Sequence, residues 1–197
     1  MDEDRRRLWQ ERHRTDEELG APSPFVVDAL DLLGAPTRLA GARALDLACG
    51  RGRHALLLAE RGYRVDAIDF ALAALTAVHR HAAARRLDVR CLAADVATWP
   101  LPTDHYALVL VVSFLDRSLF PSLRAAVAPG GVLLYETHAR GTGIAPAVRA
   151  EFCLEPGELD VLCRDWEILL RHDGDARHRG RRAPRAGILA RRPASAH

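Results

Sequence analysis

Ala44-Leu45-Asp46-Leu47-Ala48-Cys49-Gly50-Arg51-Gly52-Arg53-His54 is the stretch that decides the fold of this chain. Residues 44–47 form a short apolar run that enters two glycines and then residues 55–59, which read as a buried helix ending near Gly62. A strand that turns through glycine into a helix opens a βαβ unit. Glycine there permits a tight turn and lets a ligand approach the main chain. The segment from Gly50 to Ala55 also satisfies the dinucleotide pattern GxGxxG/A, and Asp69 lies close to the spacing of about 20 residues expected of its ribose-binding acid. On the glycines alone, a nicotinamide or flavin enzyme stays open.

Working outward, residues 63–68 read as a strand closing on Asp69, followed by an alanine-rich helix over about 71–86. Residues 89–93 make a third strand that leads to Asp95. Past Pro100 and Pro102, residues 106–112 are almost wholly apolar, as suits a strand covered on both faces. A helix over 118–127, with Pro121 in its first turn, precedes the turn Pro129-Gly130-Gly131 and a buried strand at 132–135. Strands alternating with helices imply a parallel sheet with right-handed crossovers. Upstream, Ser23 and Pro24 start a helix in which Phe25, Val26, Ala29, Leu30 and Leu33 recur at helical spacing, and Gly34 ends it.

The alternation breaks in the tail. Residues 158–163 read as a short helix, and 166–170 and 186–190 as an antiparallel hairpin at the sheet edge. The polar, basic stretch 172–185 reads as the loop joining those strands, longer than packing requires. The polar residues 1–20, with Trp9, read as an arm. The expected organisation is an arm or lid at 1–22 and a single domain at 23–197, a length suited to one core.

Composition narrows the classes. The chain has 49% hydrophobic residues and a net charge of +2, too small to argue for nucleic acid by itself. All of the Lys+Arg charge is arginine, so individual arginines deserve less weight. No apolar run approaches the ~20 residues that span a bilayer, and the charged start lacks the apolar core of a secretion signal. A cytoplasmic location is the expectation. Cys49, Cys91, Cys153 and Cys163 show no zinc-like spacing and read as reduced, buried thiols. His79 and His81, two apart on a helix, face different directions, so no metal site is expected.

Charge separates the ligand classes. A dinucleotide sets its pyrophosphate at the helix N-terminus, where a nearby carboxylate repels it. Asp46 stands four residues before Gly50. A ligand without phosphate that carries an ammonium and a sulfonium, such as S-adenosylmethionine, favours that carboxylate. Asp69 could accept the ribose hydroxyls and Asp95 the adenine amino group, with Phe70 and Val96 flanking the ring. Each acid alone also reads as a helix cap or loop carboxylate. Three at successive strand ends, where open parallel sheets bind ligands, favour the cofactor.

The segment 44–54 resembles the first motif of class I methyltransferases. Tyr63-Arg64-Val65-Asp66-Ala67-Ile68-Asp69 and Ala93-Ala94-Asp95-Val96 resemble their second- and third-strand motifs. Pro129-Gly130-Gly131-Val132-Leu133-Leu134-Tyr135-Glu136-Thr137 is similar to their turn and fifth strand. A narrower likeness to the small bacterial branch related to tellurite-resistance methyltransferases rests on Trp9-Gln10-Glu11-Arg12, Phe114-Leu115-Asp116-Arg117 and Leu154-Glu155-Pro156-Gly157-Glu158-Leu159. The resemblance implies an α/β, Rossmann-like fold: a mostly parallel seven-stranded sheet with a C-terminal antiparallel hairpin and helices on both faces. It implies S-adenosylmethionine held by Asp46, Ala48, Gly50, Gly52, His54, Asp69, Phe70, Asp95, Val96 and Ser113, and in-line methyl transfer to an acceptor. Ala48 departs from the family's usual glycine, and His54 stands where asparagine is common.

The acceptor is expected near Ser113, Phe114 and Arg117. His178-Arg179 resembles the pair that the tellurite branch is thought to use on its oxyanion, against the plainer reading of a solvated basic loop. Arg117 is a second anion-binding candidate, with helix capping as its alternative. Arg177, Arg179, Arg181, Arg182, Arg185, Arg191 and Arg192 could track phosphates, yet the stretch lacks aromatics for base stacking, which disfavours RNA. A small-molecule acceptor, with anions among the candidates, is the leading expectation, in a monomer or homodimer. An RNA methyltransferase, a nucleotide-dependent oxidoreductase and a non-catalytic adenosyl-binding module are the alternatives.

Overall fold

The computed structural model describes residues 19–34, 42–140, 149–178 and 181–194, with the backbone alone for 175–178 and 181–182. The sequence-predicted arm lies mostly outside these residues. In chain order the elements are α1 (Pro24–Leu33), β1 (Arg43–Leu47), α2 (Arg53–Glu60), β2 (Arg64–Asp69), α3 (Leu72–Arg85), β3 (Val89–Ala93) and β4 (Tyr106–Val112). They continue with α4 (Phe120–Ala126), β5 (Val127–His138), α5 (Glu158–Leu162), β6 (Glu167–His178) and β7 (Arg181–Arg191). The strands form one seven-stranded sheet in the order β3-β2-β1-β4-β5-β7-β6. The pairs β1–β2, β2–β3 and β4–β5 are parallel, while β5–β7 and β6–β7 are antiparallel. This is the Rossmann-like methyltransferase fold. By contacts the chain divides into two compact units, one holding β1–β3 with α2 and α3, the other α1 and the elements from β4 onward.

In the first unit β1 and β2 are buried along their length except at Arg43 and Arg64. α2 covers them with His54, Ala55, Leu56, Leu58 and Ala59. Alanine serves α3 in the same way: Ala74, Ala77 and Ala82 pack beside Leu75 and Val78. The two helices approach closely at Gly52, where an added Cβ would lie 2.5 Å from Val78 Cγ2. That glycine, at φ 80°, is therefore required by helix packing as well as by the turn. β3 is an edge strand, and its Cys91 is half-buried; the expectation of four buried thiols holds for Cys49, Cys153 and Cys163.

In the second unit β4, and β5 from Val132 onward, are nearly continuous runs of buried residues. β5 is longer than its 132–135 core because Val127 already pairs with Tyr106 before the turn at Pro129-Gly130-Gly131. α1 packs through Phe25 against β7, where a Cβ on Gly187 would lie 2.6 Å from the ring.

The tail departs from the sequence reading. Residues 172–178 and 181–185 are ladder and not loop: β6 and β7 pair from Glu167↔Arg191 to His178↔Arg181. The period-2 signal failed there because this outer ribbon carries charges in place of an alternating apolar face. Pro184 also argued against a strand, but it stands at the end of the β5 ladder, where its carbonyl still accepts the Ala139 N–H at 3.0 Å and only the reciprocal N–H is missing. Among the described residues no helix is long and apolar enough to cross a membrane.

Ala48 takes φ 56°, a left-handed conformation that costs a residue with a Cβ roughly 1–2 kcal/mol. Ala48→Gly is therefore expected to stabilise the protein by about 1 kcal/mol, raising Tm by about 2–4 °C. An unchanged or lower Tm in calorimetry would refute strain at this position.

Candidate active site

The first unit gathers three sequence-predicted acids at the carboxyl ends of its strands. Asp69 closes β2 and is 4% exposed. Its Oδ2 accepts the Gly50 N–H at 2.8 Å and its Oδ1 accepts the Ala71 N–H at 2.9 Å. One side chain thus ties the glycine turn to the start of α3. The turn is closed further by Cys49 N–H donating to the Ile68 carbonyl and Gly52 N–H to the Cys49 carbonyl, both at 3.0 Å. Gly50 (φ 54°) and Gly52 (φ 80°) supply the left-handed angles.

Asp46, on β1, is 1% exposed, and its Oδ2 has no hydrogen-bond partner. Burial pushes its carboxyl up to about 7; the Ala55 N–H opposes this, the charge of Asp69 adds to it and Arg53 opposes it. Burial also raises the Cys49 thiol well above its ordinary value, which removes it as a nucleophile at neutral pH.

Asp95 follows β3, one residue after Ala94, whose N–H donates to the Asp69 carbonyl. Its Oδ1 accepts the Ala97 N–H at 3.1 Å. Val96 is buried and Phe70 half-buried. His54 is buried on the packed face of α2.

These contacts discriminate between ligands. A dinucleotide needs the amides of the glycine turn and of the helix start for its pyrophosphate. Here the Gly50 N–H is held by Asp69 and the Ala55 N–H by Asp46. Two carboxyl groups stand where phosphate charge would have to go. An orphaned, fully buried carboxylate oxygen suits a cationic group instead, so the residues fit S-adenosylmethionine.

In the second unit Ser113 follows β4 at φ 58°. Its N–H donates to the Glu136 carbonyl at 2.8 Å, and its Oγ accepts from Arg185 Nη2 at 3.0 Å. The Tyr135 hydroxyl donates to the Phe114 carbonyl at 2.8 Å. Behind this turn lies an ion pair that the sequence reading missed, Arg185 Nε to Glu136 Oε1 at 2.8 Å, with both side chains 2% exposed. Its one signal was an acid and an arginine set into the apolar runs of β5 and β7. Burial lowers the neighbouring His138 to about 4, helped by Arg185 and opposed by Glu136, so its imidazole is neutral.

Arg117 is engaged. It donates from Nε and Nη2 to Glu158 at 2.5 and 2.8 Å, and to the carbonyls of Glu151 and Cys153. The capping role falls to Asp116, whose Oδ1 accepts the Ser118 N–H at 3.0 Å. His178 ends β6 and only its backbone is described; Arg179 lies outside the described residues. Among the described residues no group of three or more His, Cys, Asp or Glu could hold a metal ion.

The profile of the family described as "Methyltransferase domain" matches residues 44–131. The protein named hemagglutinin 1 from Eikenella corrodens is 32% identical over 170 residues, covering 79% of this chain and 56% of that protein. Demethylmenaquinone methyltransferase from Thermus thermophilus is 39% identical over 99 residues, covering 47% of this chain and 45% of the relative. The chain thus spans about half the length of the curated relatives it matches. Among solved structures, TehB from Haemophilus influenzae superposes with a TM-score of 0.76 at 21% identity, over 93% of this chain and 67% of that one, a likeness of fold. Residues 44–131 thus match the methyltransferase domain family, and the chain is built on the fold of the class I, S-adenosylmethionine-dependent methyltransferases.

Proposed function

We propose that the chain is an S-adenosylmethionine-dependent methyltransferase that methylates a small-molecule acceptor. The observation that carries the cofactor is the pair Asp46 and Asp69, which hold the amides that a pyrophosphate would need. The small-molecule reading is supported by the likeness to demethylmenaquinone methyltransferase. The free thiols suit a reducing, cytoplasmic setting.

In this reading Asp46 faces the ammonium of the cofactor. Asp69 receives the ribose hydroxyls through the lone pairs left over by Gly50 and Ala71, and Asp95 receives the adenine amino group between Phe70 and Val96. Ala48, Gly50, Gly52 and His54 shape the bed. When bound, the cofactor supplies an electrophilic methyl carbon on sulfonium. The chain then has to orient the acceptor and exclude water, and a base is needed only for a protonated nucleophile.

On the acceptor side Ser113 and Phe114 form the fixed turn. His178 and Arg179 are the groups proposed to handle a proton and an anion. Arg117, whose donors are engaged by Glu158 and two carbonyls, acts as a tie for residues 151–158.

S-adenosylmethionine and S-adenosylhomocysteine are expected to raise Tm, with about 2.7 kcal/mol of stabilisation at a hundredfold excess over Kd, while NAD(H) leaves it unchanged. No shift with either adenosyl compound would sink the reading. Asp69→Ala should weaken S-adenosylhomocysteine binding at least about tenfold (some 1.4 kcal/mol) in calorimetry. It should also cost about 1–3 kcal/mol of stability, because the buried Ala71 N–H and the part-buried Gly50 N–H lose their acceptor; unchanged affinity would refute the ribose role.

Asp46 adds a pH signature. Its carboxyl titrates near 3.8 when unfolded and near 7 when folded, so the folded state holds the extra proton between those values. Its contribution to stability is full at low pH and is lost as the pH climbs through that window to about 7. A cationic ligand favours the ionised form, so stabilisation by S-adenosylmethionine should grow from pH 6 to pH 8. The difference between wild type and Asp46→Asn isolates this effect from the opposite trend of His138. Parallel curves for the two proteins would contradict the assignment.

A further inference from the structure

We propose that β6 is the interface of a two-fold homodimer, pairing antiparallel with β6 of a second copy about His172. β6 borders only β7 in the sheet, so its outer edge is unpaired among the described residues. The opposite edge strand, β3, has 5 residues; β6 has 12. Short edges resist strand addition, and a long one invites it.

Charge selects the occupant and the register. A bulge between Ile168 and Leu170 interrupts the ladder with β7, and from Leu170 onward the strand is regular. In the stretch Leu170-Arg171-His172-Asp173-Gly174, antiparallel pairing about His172 sets Arg171 opposite the second copy's Asp173, and the same again across the axis. Leu170 falls opposite Gly174, which leaves room for the larger side chain. Moving the centre to Arg171 or Asp173 sets like charges face to face, which is destabilising. The neighbouring registers are therefore penalised, as an isologous two-fold contact requires.

The neighbourhood of Asp173 supplies the second argument. A small cleft is lined by Glu155, Glu158, Asp160 and Asp173, with Arg171 the lining cation. Three of these acids have an arginine: Glu155 has Arg140, Glu158 has Arg117 and Asp160 has Arg171. Asp173 is exposed and has no ion-pair partner among the described residues. Arg171, whose Nη2 donates to Asp160, has a half-exposed side chain, and this register brings its guanidinium to Asp173 from the other copy, so that it is shared between the two acids. Charged edge residues usually prevent association; here their order makes the edge complementary to itself.

Sedimentation velocity over a concentration series should show a reversible dimer of the wild-type chain. Asp173→Arg, an exposed change, replaces both cross-axis attractions by repulsions and should raise the dimer Kd about tenfold or more. In the wild-type background, His172→Cys should give a disulfide-linked dimer on mild oxidation, since directly opposed strand residues stand within disulfide reach, about 4.5–5.5 Å between Cα atoms. A wild-type monomer at every concentration, a dimer indifferent to Asp173→Arg, or a dimeric His172→Cys protein that does not cross-link would each overturn the proposal.

Discussion

The carboxylate of Asp69 is the contact on which the first unit depends. It stands at the end of a buried strand and accepts two backbone N–H groups, one from the glycine turn and one from the residue that opens α3. A charged acceptor makes stronger bonds than a neutral one, and both amides would otherwise lie in a poorly hydrated place. The turn is thereby set before any ligand arrives. The same bond decides chemistry, because an amide held by a carboxylate cannot cradle a phosphate. One residue thus links strand register to turn geometry, and turn geometry to the sign of the ligand the loop will accept.

The second unit uses a buried ion pair for a comparable purpose. Glu136 and Arg185 are almost wholly withdrawn from water, an arrangement whose desolvation cost often cancels its attraction. Its effect is therefore better sought in position than in stability. Arg185 holds the Ser113 hydroxyl, the Glu136 backbone holds the Ser113 amide and Tyr135 holds the next carbonyl. Oε2 of Glu136 and Nη1 of Arg185 have no partner, and such groups are uncommon in protein interiors without a role.

The parts of this fold that were legible in sequence are those with one dominant local signal. The glycine turn, the buried parallel strands and the acids closing β1–β3 each follow from periodicity plus a special residue, and the parallel pairing follows from their alternation with helices. The ladder between 172–178 and 181–185 was illegible for a physical reason. Its sequence shows no apolar alternation, because the buried positions of β7 there include Ala183 and the ion-paired Arg185, and Gly174 and Pro184 carry a loop's composition. Glu136 and Arg185 were hidden differently: they lie 49 residues apart, and only the antiparallel β5–β7 ladder brings them together. Arg117 shows the converse, since a guanidinium near a strand end suggests anion binding until its acceptor at Glu158 is known.

Backbone strain marks the same place in both units. Four described non-glycine residues have positive φ, and two of them are ordinary: Arg86 caps α3 and Asp104 lies in a turn. The other two, Ala48 and Ser113, stand immediately after β1 and β4, the first parallel strand of each unit. Such angles cost roughly 1–3 kcal/mol and persist only where the surroundings over-determine them. The surroundings here do so: Cys49 and Gly50 are bonded beyond Ala48, while both the N–H and the hydroxyl of Ser113 are held. In open α/β sheets ligands bind beyond the carboxyl ends of the strands, and a chain that turns away sharply there leaves the space free. Glycine at position 48 would achieve the same turn without strain. Alanine is tolerated because the bonds around it fix the angle.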